Sequence, residues 1–278
     1  MEQLILPEPK PEPTDPAVPS YPTIAESWGA LGWFVLCTLV AALLILLPAS
    51  MLFHQQNPAK QLTTAVAAEG GLLLTIWWLA RRAGTRWPRL GGGEQAASWR
   101  LYVLLLLIMP AQAVVLTTLS LLPLPDWTGK TFIDWSRYPV LAFGIGSIVG
   151  PVLEEYLFRG VLLQGLLRNY RPWVAIAQSA LLFGVFHFNP AQSLSATLMG
   201  LVVGWLYYRT QSLGLCIGLH ALNNAFAFTM LRFSSTPRYV VLSNQLGAAG
   251  YWALVALAAM VLSGCLWWLH RQLPATDN

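Results

Sequence analysis

The stretch VLAFGIGSIVGPVLEEYLFRGVLLQGLL, residues 140–167, is long enough to cross a bilayer yet carries three ionisable side chains. A membrane-spanning helix needs about 20 mostly apolar residues. Glu154, Glu155 and Arg159 interrupt this one within two helical turns. Because a charge near the bilayer centre costs about 2.5–3.5 kcal/mol on insertion scales, these groups must be paired, neutralised or exposed to a water-filled cavity.

The composition of the whole chain indicates a membrane protein. Hydrophobic residues make up 56% of its 278 residues and charged residues only 10%, and the mean hydropathy is +0.55. Soluble domains contain about 25% charged residues. The net charge of +4 does not suggest a nucleic-acid partner, because basic residues in a membrane protein mostly mark the cytoplasmic loops. We therefore expect an integral, multi-pass protein in contact with lipid.

Apolar runs predict an all-α transmembrane bundle of about eight spans. They lie near Trp28–Phe53, Leu62–Ala80, Tyr102–Leu122, Val140–Leu167, Trp173–His187, Leu194–Tyr208, Leu215–Leu231 and Ala248–Leu269. Residues 1–25 are rich in proline and predict a disordered cytoplasmic tail, so residues 26–278 form the predicted membrane domain. The loop at residues 122–139 mixes aromatic and charged residues, which predicts a short amphipathic element at the membrane interface.

Basic residues predict the orientation of the bundle. With eight spans, ten of the sixteen Lys and Arg residues fall on the side that holds both termini and five on the other, while Arg159 lies inside a span. Cytoplasmic loops carry an excess of Lys and Arg. Both termini are therefore predicted to be cytoplasmic.

Helix geometry distinguishes the two glutamates. Glu155 and Arg159 are four residues apart, with the acid on the N-terminal side, which is the favourable arrangement for an ion pair. Glu154 points about 100° away from Glu155 and has no such local partner. An intramembrane carboxylate without a counter-ion is suited to act as a general base.

Other intramembrane polar groups lie at a similar depth. His187 ends the fifth predicted span, and the seventh contains His220 with Asn223 and Asn224 one turn later. Measured from the nearest predicted cytoplasmic arginine, Glu154, His187 and His220 lie about 21, 24 and 16 Å into the membrane at 1.5 Å per residue. The three helices are thus predicted to present these groups in one layer. Glu69, a single acid in the second span, is interpreted as a packing or supporting group rather than a catalytic one.

Three motifs in this order resemble a known family. The segments EEYLFR (154–159), FGVFH (183–187) and HALNN (220–224) resemble the signature motifs of the CPBP intramembrane proteases. This family is also called the Abi or CAAX-protease family and includes the Ras-converting prenyl endopeptidases. The resemblance covers about residues 139–231, which would be a motif-bearing protease core that forms a catalytic cavity.

The resemblance implies a role for each motif residue. Glu154 would be the base that activates water, assisted by His187, and His220 and Asn224 would stabilise the oxyanion. Glu155 with Arg159 would support the geometry of the first motif, and Phe183 would pack beside His187. The implied activity is hydrolysis of a peptide bond in a membrane-bound or lipidated peptide or protein, as in a CAAX prenyl endopeptidase.

Two questions stay open at the level of sequence. The first is the cofactor: we favour none, but Glu154, His187 and His220 could also form a zinc set with an open fourth position, as in a metalloprotease. The second is the activity. A non-proteolytic membrane scaffold or regulator of the same family is one alternative. A proton-coupled carrier is another, although carriers commonly show repeats in both halves and the polar groups here cluster in the second half.

Overall fold

The computed structural model describes residues 20–52, 58–84, 99–233 and 238–273, and these residues form helices and connecting turns without any strand. The helices are Ile24–Leu52 (α1), Pro58–Ala83 (α2), Trp99–Leu116 (α3), Gly129–Ser136 (α4), Val140–Asn169 (α5), Pro172–Val185 (α6), Pro190–Thr210 (α7), Leu213–Phe233 (α8) and Arg238–Gln272 (α9). A 3₁₀ turn, Thr117–Leu121, extends α3. The predicted all-α transmembrane bundle is confirmed.

Each of the eight predicted spans coincides with a helix, but six helices among the described residues are both long and apolar enough to cross a membrane. These are α1, α2, α3 with its 3₁₀ turn, α5, α8 and α9. Helix α6 has 14 residues, which at 1.5 Å per residue covers about 21 Å of a hydrocarbon core of about 30 Å. Helix α7 is long enough, but its first turns carry Gln192, Ser193 and Ser195 and make it less apolar.

Helix α5 is the centre of the bundle. It packs against α2, α6, α7 and α8, and all seven residues from Leu157 to Leu163 are buried. Its backbone contains wide π-helical turns at Val140–Val149 and Tyr156–Leu163 on either side of an α-helical segment, Gly150–Glu155. Such π turns are frequent at functional sites. The two glutamates thus lie in the regular segment between two irregular ones.

The outer helices face lipid. Leu39, Leu43, Leu44 and Leu47 on α1 are more than half exposed, as expected for a helix at the perimeter of a bundle. Helix α1 pairs with α2 at Gly71, where a side chain would overlap Thr38 of α1. Small residues allow transmembrane helices to approach in this way. This contact positions α2, which carries Glu69, against α5.

The predicted tail is described only at its end. Residues 1–19 lie outside the described residues, so disorder there stays a prediction. Residues 20–23 pack against the end of α5, where the Asn169 side chain accepts a hydrogen bond from the Ser20 N–H at 2.9 Å and donates to the Pro22 carbonyl at 3.1 Å. The described residues therefore begin at residue 20, slightly before the predicted boundary at residue 25.

Candidate active site

The predicted ion pair in α5 is present and fully buried. Arg159 Nη1 lies 2.8 Å from Glu155 Oε1, and the two side chains are 1% and 0% exposed. The guanidinium also donates to the Gly200 carbonyl at 3.2 Å and lies 4.9 Å from the centre of the Phe183 ring. A buried charge pair survives desolvation only with good geometry and further hydrogen bonds, and these contacts supply both.

His220 connects the two glutamates. Its Nδ1 lies 2.8 Å from Glu155 Oε1, and its Nε2 lies 3.7 Å from Glu154 Oε2. An ionised carboxylate can only accept hydrogen bonds. The Nδ1 of His220 is therefore protonated and donates to Glu155 in the shorter contact. The Glu155–Arg159 pair therefore fixes the ring of His220 and turns its other nitrogen toward Glu154.

A carbonyl group near the end of α6 holds His187, which lies in the turn after that helix. The turn that follows α6 places its Nδ1 2.8 Å from the carbonyl oxygen of Phe183. A carbonyl accepts hydrogen bonds, so Nδ1 is the protonated nitrogen and Nε2 of the neutral ring is an acceptor. The Phe183 ring packs edge-on against both imidazoles, with centroid distances of 5.1 Å to His187 and 5.5 Å to His220.

Asn223 and Asn224 lie one turn beyond His220. Asn224 donates through Nδ2 to the carbonyl of Gly146 in α5 at 2.9 Å and accepts from Asn223 Nδ2 at 3.3 Å. An amide nitrogen carries two protons, so Asn224 retains a second N–H beyond the one used for Gly146. Its orientation is set by contacts on both sides.

These residues surround a cavity of about 750 Å³. Of the residues singled out in the sequence, Glu154, Phe183, His187, His220 and Asn224 line it. Glu155 and Arg159 do not line it but lie behind it in the core. The Glu154 side chain is 21% exposed and faces the cavity, whereas the Glu155 side chain is fully buried.

Several lining residues were not assigned to the site from the sequence. They are Glu69, Thr117, Asp126, Thr128, Asn189, Gln192 and Asn223. Glu69 was interpreted as a supporting group, yet the structure exposes it to the same cavity as Glu154. The described lining contains no Lys or Arg, so its ionisable groups are carboxyls and imidazoles.

Residues 122–136, here called the cap segment, cover one side of the cavity. The segment contains the predicted amphipathic element as α4, whose Phe132 packs edge-on against Phe228 of α8 at 5.9 Å. Asp126 Oδ1 accepts hydrogen bonds from the backbone N–H groups of Thr128 and Gly129 at 3.2 and 2.9 Å. These bonds satisfy donors that the first turn of a helix leaves free.

A single side chain joins the cap segment to the turn that carries His187. Asn189, which is 2% exposed, accepts from the Trp127 N–H at 3.1 Å. Its Nδ2 donates to Asp126 Oδ1 at 2.9 Å and to Thr128 Oγ1 at 2.7 Å. Every polar atom of this buried amide is therefore used, and the position of the cap segment is coupled to that of His187.

The zinc alternative has no preformed ligand set in the part of the chain that the structure describes. No group of three or more His, Cys, Asp or Glu side chains there is arranged to hold a metal ion. His220 directs one nitrogen to Glu155 and the other to Glu154, as described above.

The segment that carries the three motifs is similar to a known protein family. Residues 136–226 match the model of the Rce1-like family, described as type II CAAX prenyl endopeptidase Rce1-like. The family resemblance is confirmed. All seven residues assigned from the motifs lie in this Rce1-like segment, whereas Glu69 and the Asp126 end of the cap segment precede it.

One relative supports the same assignment. Over 101 residues the chain is 34% identical to a Bacillus subtilis protein named "Putative membrane peptidase YdiL". The match spans 36% of this chain and 41% of the relative, so it concerns part of each protein rather than the whole. No solved structure matches the chain.

Proposed function

We propose that the chain is an intramembrane endopeptidase that hydrolyses a peptide bond with water activated by Glu154 and His187. The observation that carries this proposal is that Glu154, His187, His220 and Asn224 face one cavity although they come from three helices. The Rce1-like match and the name of the Bacillus relative support a membrane peptidase. The glutamate mechanism is the one that the motif resemblance implies, and we propose it for this chain.

Two proton acceptors are available for the attacking water. Glu154 Oε2 is buried and has no hydrogen-bond partner among the described residues, and the nearest basic nitrogen is that of His220 at 3.7 Å. His187 offers its Nε2, because its Nδ1 is occupied by Phe183. As the water oxygen bonds to the peptide carbon, its proton passes to Glu154, assisted by His187. A positioned base contributes about 10²–10⁴-fold to such a step.

Two donors are available for the oxyanion. Asn224 has a free N–H, and His220 has Nε2. For Nε2 to donate, His220 must carry a second proton, since the first is directed to Glu155. The carboxylates of Glu155 and Glu154 lie on either side of the ring, at 2.8 Å from Nδ1 and 3.7 Å from Nε2. Removing one oxyanion donor in other hydrolases costs about 10²–10³-fold in rate.

The substrate class follows from the surroundings of the site. Helices that are apolar enough to span a membrane enclose the cavity, so the peptide must reach it from the bilayer or its surface. We propose a membrane-bound or lipidated peptide or protein as the substrate, which includes the prenylated termini suggested by the family resemblance.

We also propose that both termini face the cytoplasm. In support, the start of α1, the end of α2 and the end of α5 lie together: Arg82 contacts Glu26 at 3.3 Å, and Asn169 holds the backbone at Ser20. The ends of α7 and α9 also meet, where Arg209 donates to the His270 carbonyl at 2.5 Å. Labelling of single cysteines introduced near residues 20 and 130 in intact cells would test this orientation, and a reagent confined to the outside should reach only the second.

The catalytic proposal is tested with purified protein in liposomes and a panel of quenched peptides, prenylated and plain. We expect Glu154→Gln to lower cleavage by at least 100-fold. Glu26→Gln serves as the matched control, because Glu26 forms an exposed pair with Arg82 away from the cavity, and it should cleave at the wild-type rate. Equal cleavage by wild type and Glu154→Gln would refute the assignment.

A strong zinc chelator added to the wild-type protein separates the two mechanisms. Cleavage that persists with chelator supports the glutamate peptidase, and cleavage lost with chelator and restored by zinc would instead make Glu154, His187 and His220 metal ligands. A folded protein that cleaves no peptide in the panel would favour the scaffold alternative.

A further inference from the structure

Glu69 is an intramembrane carboxyl group that the proposed mechanism does not use. It projects from α2 into the cavity that holds Glu154 and His220. Its Oε2 is buried and has no hydrogen-bond partner among the described residues, and no described Lys or Arg forms an ion pair with it. A buried polar side chain in a membrane is costly and usually marks function.

Gly150 brings Glu69 close to the catalytic glutamate. A Cβ placed on Gly150 would lie 3.3 Å from Glu69 Oε1 and 3.9 Å from Glu154 Oε1, so the two oxygens are separated by no more than the sum of these distances. Gly150 and Glu154 are four residues apart on one face of α5. The Glu69 carboxyl thus lies against α5 at Gly150, one turn from Glu154.

Peptide hydrolysis requires an acid as well as a base. When the C–N bond breaks, the departing nitrogen must gain a proton, because an amide anion is too basic to leave. His187 and His220 are poorly placed for this task, since each has its Nδ1 proton directed to Phe183 or Glu155 and its Nε2 is assigned to water or the oxyanion. The side chains of Asn223 and Asn224 do not transfer protons.

A pair of neighbouring carboxyl groups can divide the two roles. Two carboxyls that share a site of low dielectric do not both ionise, so one keeps a proton while the other is a base. The other titratable groups that line the cavity are Asp126, His187 and His220. Glu154 has the imidazole of His220 beside it at 3.7 Å, whereas Glu69 has no basic side chain as a partner among the described residues. We therefore assign the role of base to Glu154 and the role of acid to Glu69.

We propose that Glu69 is a catalytic residue that protonates the leaving amine, an inference that rests on the proposed endopeptidase function. The water oxygen bonds to the carbonyl carbon and its proton moves to Glu154. The C–N bond then breaks, its electron pair stays on nitrogen, and that nitrogen takes the proton of Glu69. The products are a new carboxyl end and a new amine end, and the proton on Glu154 returns to Glu69 through the water of the cavity.

The test compares two scissile bonds in one peptide sequence, an amide and a thioester. A thiolate leaves without protonation, so the thioester needs the base but not the acid. We expect Glu69→Gln, which keeps the size of the side chain, to slow amide cleavage by 10-fold or more in kcat and thioester cleavage by less than 3-fold. Glu154→Gln should slow both substrates, and Glu26→Gln should slow neither.

The ratio of the two rates within one variant makes the result independent of the fraction of folded protein. Glu69→Asp should recover part of the amide rate, because it restores a transferable proton. Equal losses on amide and thioester would show a structural role for Glu69 and overturn this proposal, as would an unchanged amide rate. Wild-type protein that cleaves neither bond would overturn the endopeptidase proposal and this role with it, whereas wild-type cleavage with an unaffected Glu69→Gln would overturn this role alone.

Discussion

Replacing Arg159 by methionine tests the buried ion pair most severely. The pair has a separation of 2.8 Å and almost no exposure, and removing one partner of a buried pair costs about 3–5 kcal/mol, because the other charge is left uncompensated. His220 stays as a second partner of Glu155, which places the expected value near the lower end. Since a domain is stable by about 5–15 kcal/mol, Arg159→Met should remain folded but be strongly destabilised.

The measurement is reversible unfolding in mixed micelles, followed by tryptophan fluorescence. Replacing both partners of a buried pair by apolar residues is often neutral, so Glu155→Leu/Arg159→Met should be more stable than Arg159→Met. It should still be about 1–3 kcal/mol less stable than wild type, because the buried His220 Nδ1, which contacts Glu155 at 2.8 Å, is left unpaired. It should not recover activity, because His220 Nδ1 loses its acceptor. A single variant as stable as wild type, or a double variant no more stable than the single, would refute this reasoning.

Three further outcomes follow from the packing around the cavity. Asn189→Ala removes all the hydrogen bonds between the Asn189 amide and the cap segment. Because a buried hydrogen-bonding group left unpaired costs about 1–3 kcal/mol, the cap segment should be held less tightly. Limited proteolysis should therefore cut the cap segment faster than in wild type, and peptide cleavage should slow. Gly184→Ala places a Cβ against the Thr197 hydroxyl of α7 and should lower the free energy of unfolding by about 1–3 kcal/mol. Gly32→Ala, whose Cβ meets nothing within 4 Å, should leave the free energy of unfolding unchanged or raise it, because alanine favours a helix over glycine. Phe183→Leu removes the ring that separates the two imidazoles and should lower kcat more than it raises KM, and an unchanged kcat would contradict that role.

The local part of the site could be predicted from the sequence. The i, i+4 spacing of Glu155 and Arg159 predicted their ion pair, and the apolar runs predicted where helices lie. The number of residues between each group and the nearest predicted cytoplasmic arginine indicated that Glu154, His187 and His220 lie at a similar depth in the membrane. In the structure these three residues line one cavity. These inferences depend only on the period and length of a helix.

The nonlocal part could not be predicted in the same way. Glu69 shares a cavity with Glu154 because Gly150 and Gly71 let α2 approach its neighbours, and sequence spacing does not reveal which helices pack together. Asn189 was overlooked because an asparagine after a helix is usually a turn residue, and only its burial beside Asp126 distinguishes it. Helices α6 and α7 are present where spans were predicted, but by length and composition they stand apart from the six longer, more apolar helices among the described residues.

The role of Glu154 can be measured directly in a single turnover. Protein in excess over a peptide substrate is mixed in H₂¹⁸O, and the new carboxyl end is analysed by mass spectrometry. If Glu154 activates water that attacks the peptide carbon, the product of the first turnover carries one ¹⁸O atom and the protein carries none. A first-turnover product without ¹⁸O, with the label instead in Glu154, would show that the carboxylate itself attacks and would contradict the account.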